Sequence, residues 1–159
     1  MKKILHLAGI PIGILACLVA AYNLCNMLLL TILARHSTAP VYGALLLISL
    51  AGIVLFVRAW MGKMSMIEKK IGVTAFFGGS IAAIFLLPIT DPVIWTIISF
   101  FAASTCLILD DTHYTFREIF GAWRWPILFG HVILFLTICL ALRPRQCGHD
   151  LYLKLSPMI

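Results

Sequence analysis

Five apolar stretches, each close to the length needed to cross a bilayer, take up most of this chain and leave it few ways to fold. A helix rises about 1.5 Å per residue and the hydrocarbon layer is about 30 Å thick, so about 20 apolar residues suffice for one crossing. The stretches fall at 4–33, 41–57, 71–87, 93–109 and 126–142. Composition excludes a water-soluble alternative. The chain is 62% apolar and 11% charged, against about 45–50% and about 25% in soluble domains. A small domain cannot hide that much apolar surface. The sequence therefore predicts an all-α integral membrane protein, a compact bundle of about five transmembrane helices in one membrane domain spanning 1–159.

The first stretch follows Lys2 and Lys3 and resembles the start of an export signal, with Ile14-Leu15-Ala16-Cys17 like a lipoprotein cleavage site. Its apolar run continues to Leu33, about twice the 7–15 residues of a signal core, and so reads as an uncleaved span. Pro11 is expected to separate an interfacial turn from the span proper. The stretches 71–87 and 93–109 are each only about 17 residues, near the lower limit for crossing. Pro88-Ile89-Thr90-Asp91-Pro92 joins them as a tight turn. They read as two full crossings; as a re-entrant hairpin, 71–109 would reduce the count to four. A lipid-facing turn at mid-depth would leave backbone groups unpaired, which favours crossing.

Charge sorts the loops. With five crossings, Lys2, Lys3, Arg58, Lys63, Lys69, Lys70, Arg117 and Arg124 fall on one side, and Arg35, Arg143, Arg145 and Lys154 on the other. Basic residues concentrate in the cytoplasm, so the N-terminus is expected inside and the polar tail 143–159 in the periplasm or outside. Short loops and one compact bundle suit a bacterial inner membrane. The net charge of +6 is not arranged as a basic, aromatic-studded stripe on a soluble domain, so no nucleic-acid partner is expected.

Helices in lipid associate through small residues and polar contacts. Ala75, Gly79 and Ala83 recur every four residues, and Ser99 and Ala103 answer them across the Pro88–Pro92 turn. These faces are expected to pack antiparallel, or else to form a homo-oligomer interface. Asn23 and Asn26 lie three apart on one helical face, suited to bonding a neighbouring helix or lining a polar path. His131 and His6 sit at similar depths, and two facing histidines are the weak case for a haem. No cofactor is expected, and no metal: Asp110, Asp111, His113 and Glu118 have ligand atoms but no recognised spacing. The five cysteines form no Cys-x-x-Cys pair, and only Cys139 and Cys147 are placed for a bridge.

The segment 110–125 has Phe116, Ile119, Phe120 and Trp123 at i, i+3, i+4, i+7, with Arg117 off that stripe and Thr115 and Glu118 spaced as a capping box. A short interfacial helix is expected, its apolar face in lipid. Hydrolase and phosphate-binding motifs are lacking, so the chain reads as no enzyme. The reading is a non-enzymatic accessory, immunity or assembly protein whose partners are the lipid bilayer and another membrane protein or further copies of itself. The alternative is a small transporter or channel subunit.

Overall fold

A computed structural model describes the backbone of residues 2–110 and 114–142 and the side chains of 7–110 and 114–140. The expected tail 143–159, the side chain of His6, and Asp111, His113 and Cys147 lie outside the described residues. All regular structure among the described residues is helical: α1 (Lys2–Leu33), α2 (Ala39–Trp60), α3 (Met66–Leu86), α4 (Asp91–Leu109), α5 (Phe116–Phe120) and α6 (Arg124–Leu142), with one 3₁₀ turn, Gly121–Trp123, between the last two. Five of these are long and apolar enough to cross a membrane.

The helices outrun the apolar stretches. α1 continues unbroken through Pro11, so the expected interfacial turn is absent: the packing of its length on two neighbours holds the helix where one backbone bond is lost. α3 starts at Met66 and α4 at Asp91, giving 21 and 19 residues, or about 31 Å and about 28 Å, so neither is too short to cross. The turn between them shrinks to 87–90, with Pro92 in the first turn of α4, where its missing N–H costs nothing.

Two helix ends use the same device. At the end of α2, Gly62 takes the left-handed conformation (φ 67°), while Gly62 N donates to Ala59 O and Lys63 N to Arg58 O, a Schellman arrangement. At the end of α1, Arg35 holds the equivalent place at φ 51°, with Arg35 N donating to Ile32 O and His36 N to Thr31 O. The start of α3 is fixed by Ser65, whose hydroxyl accepts from Glu68 N as the Glu68 carboxylate accepts from Ser65 N.

α1 packs most extensively on α4 and α2, and α4 on α3, whereas α2 and α3, although consecutive, meet only sparsely. The order around the bundle is therefore α2, α1, α4, α3, with an open seam between the outer pair. Phe56, Phe76 and Phe100 fill the centre, with ring centroids 6.3 Å and 5.7 Å apart. Small residues serve as sockets for these large ones: a Cβ on Gly79 would lie 2.9 Å from the Phe100 ring, and one on Gly52 would lie 2.8 Å from Cys17 Sγ. α6 lies outside the four, against α4 and α3.

Candidate functional site

The sharpest polar feature is at the end of the bundle where α3 begins. The capping box starts α3 at Met66, and so places Lys69 inside a helix rather than in a connection between the apolar stretches 41–57 and 71–87. Lys69 lies one turn before Val73 and two before Phe76, on the inward face, and is 1% exposed. Its ammonium donates to the carbonyl oxygen of Asp110 and, at 2.8 Å, to that of Tyr114. Asp110 ends α4, where unpaired carbonyls carry a partial negative charge, and a buried cation meets both needs at once. The clamp joins α3, the end of α4 and the connector that leads to α5. Met64, Ile119 and Phe120 are buried with the hydrophobic core at this end. Sequence reasoning missed Lys69; its signal was the Ser65-x-x-Glu68 pattern, which marks a helix start.

A second polar contact attaches α6. His131, also buried, presents Nδ1 to Ile127 O at 2.8 Å and Nε2 to Ser104 Oγ at 2.8 Å. A carbonyl only accepts, so Nδ1 carries a proton, and in the neutral ring Nε2 accepts from the Ser104 hydroxyl. The ring stacks on Phe77 at 4.7 Å with a 12° tilt and meets Phe101 at 5.7 Å. Both ring nitrogens thus have protein partners.

The other candidate residues are dispersed. Gly79, Ala83, Ser99 and Ala103 are buried between helices, while Ala75 turns toward α2 and lines the open seam. Asn23 is half-buried on α1. Asn26 is exposed beside Tyr22, which is 71% exposed, and neither asparagine side chain makes a hydrogen bond among the described residues. The capping box of Thr115 and Glu118 is formed. Of the stripe it starts, Ile119 and Phe120 pack inward, Phe116 is half-buried against Phe120 at 5.0 Å, and Trp123 is 72% exposed with Arg117 also outside. The stripe splits because α5 ends at Phe120, where Gly121 (φ 50°) redirects the chain. Among the described residues no three His, Cys, Asp or Glu side chains converge as metal ligands.

Grooves line the outer surface. The seam between α2 and α3 holds two that share Ile48 and Ala75, of about 320 Å³ near Leu55 and Ile71 and about 490 Å³ toward Pro40 and Leu86. Two more flank α6, about 270 Å³ against α3 and about 480 Å³ against α4. All have almost wholly apolar walls, suited to chains or helices rather than to polar substrates. Compared with known proteins, the chain matches no family model, no curated sequence and no solved structure.

Proposed function

We propose that this chain is a non-enzymatic accessory, immunity or assembly protein of the bacterial inner membrane that works by binding another membrane protein or further copies of itself. The observation that carries the reading is the outward amide of Asn26. On a bilayer-spanning α1, seven residues before its end, that amide would face lipid with no partner among the described residues. A primary amide offers two donors and two acceptor lone pairs, and hydrocarbon satisfies none of them. A second transmembrane helix does so, at roughly 0.6 kcal/mol per interhelical bond and up to about 1.7. Tyr22 and Leu29 lie one turn away on either side and extend the contact face. The eight-to-four division of basic residues supports a cytoplasmic N-terminus.

The test is site-specific photocrosslinking from position 26 in intact cells, beside an Asn26→Leu variant. A discrete adduct to one membrane protein or to a second copy, together with loss of co-purification in the variant, is the expected result. Crosslinks to lipid alone, with association unchanged by Asn26→Leu, would refute the reading.

A further inference from the structure

The outer face of α1 carries an order that apolarity alone does not require. Ile12, Leu15, Val19, Tyr22, Asn26, Leu29 and Leu33 succeed one another at alternating spacings of three and four, and all are exposed. They lie opposite Ile10, Cys17, Ala20 and Leu24, which are buried in the core. A mean spacing of 3.5 residues, kept from Ile12 to Leu33, holds one stripe against one partner helix in a left-handed crossing of about 20°. Ile12, Val19, Asn26 and Leu33 fall at one heptad position, and Leu15, Tyr22 and Leu29 at the other. β-branched residues at the first and leucine at the second suit a pair of parallel helices, and a single asparagine at the first fixes their register and number.

The two polar members of this stripe stand apart from the other polar residues of the long helices' less buried faces. Thr31, Thr74, Thr105 and Thr137 each donate to a carbonyl four residues back in their own helix. The side chains of Tyr22 and Asn26 make no hydrogen bond among the described residues. A second copy of the chain supplies what they lack by symmetry. The basic-residue bias orients every copy alike, so a two-fold axis relating two copies runs along the membrane normal. Each residue on that axis then meets its own counterpart at its own depth. A primary amide both donates and accepts, and so pairs with its own kind. A different protein would need a matching polar group placed at that same depth.

We propose that α1 forms a parallel, two-fold dimer with a second copy of this chain, in which Asn26 bonds Asn26 of the partner subunit. The proposal rests on the reading of the Asn26 face as a contact surface, and it names the partner.

The experiment is sedimentation equilibrium of the full chain, purified alone in a density-matched detergent, over a range of protein-to-detergent ratios. A species of twice the 17.6 kDa chain mass is expected. Asn26→Leu should raise its dissociation constant at least about threefold, the equivalent of one interhelical bond. Asn26→Gln, which keeps the amide, should weaken the dimer less than Asn26→Leu. Leu47→Ala, on the exposed face of α2, should leave it unchanged. A monomer at every ratio would overturn the proposal, as would a dimer that Asn26→Leu leaves equally tight. If the pure chain is monomeric while position 26 still crosslinks to a different membrane protein in cells, the dimer fails and the contact surface stands. Crosslinks to lipid alone would remove both.

Discussion

Replacing Lys69 with methionine is the most informative perturbation of this fold. The two side chains have similar length, so the change deletes charge and donors while nearly preserving shape. At least two hydrogen bonds from a charged donor are lost, those to the Asp110 and Tyr114 carbonyls, each contributing about 1.5–3 kcal/mol. The carbonyls of Asp110 and Tyr114 then lack that donor in a site closed by Ile119, Phe120 and Met64. Against this, methionine escapes the several kcal/mol of desolvation that a buried ammonium incurs. The balance is a destabilisation of about 3 kcal/mol, or more than a hundredfold in the folding equilibrium. The loss should be local first. Amide hydrogen exchange across 114–120 should accelerate, while amides in the middle of α1 and α4 should change little. Lys70→Met, one residue away and exposed, is the control and should stay within about 0.5 kcal/mol. Lys69→Met with native stability and an equally protected connector would refute the clamp.

Three further outcomes follow from the geometry. Arg35→Gly should stabilise by about 1 kcal/mol and Gly62→Ala destabilise by a similar amount, because the two positions share one left-handed cap; equilibrium unfolding of both variants should show the opposite signs. Gly79→Leu should disrupt folding, since even a Cβ meets the Phe100 ring at 2.9 Å and Leu45 at 3.5 Å, whereas Gly78→Ala, with nothing within 4 Å, should be neutral or gain up to about 1 kcal/mol from helix propensity; folded yield after detergent extraction separates the two. His131→Phe should retain the stack on Phe77 but lose the bond to Ser104, at about 1–3 kcal/mol for the stranded hydroxyl, seen as faster proteolysis in the 110–125 connector.

The five helices long and apolar enough to cross a membrane were legible in the sequence because that test is a crude rule of length and apolarity, and the rule needs no knowledge of neighbours. Their ends were harder. Lys69 and Lys70 look like loop residues to any reading based on charge, and only Ser65 and Glu68 reveal that the helix has already begun. Residue facing was partly hidden for a related reason. An all-apolar helix carries almost no moment to tell lipid from protein, so Ala75 and Gly79 look equivalent although one lines a groove and the other receives Phe100. His131 stood out as a polar residue in an apolar run, but its partner Ser104 lay on another helix, 27 residues away. The direction of Asn26 is likewise a property of the assembled bundle.

The sparse attachment of α6 has a consequence for how the molecule is built. α1 has its most extensive contact with α4, the fourth helix of the chain, so the packing of these four helices is not complete until the fourth has been synthesised. α6 is made last and meets α4 and α3 through His131, the buried Leu134 and the Phe101–Phe135 contact, between two grooves. Packing therefore falls into two stages, the contact of α1 with α4 that waits for the fourth helix and the addition of α6 to the outside of the four.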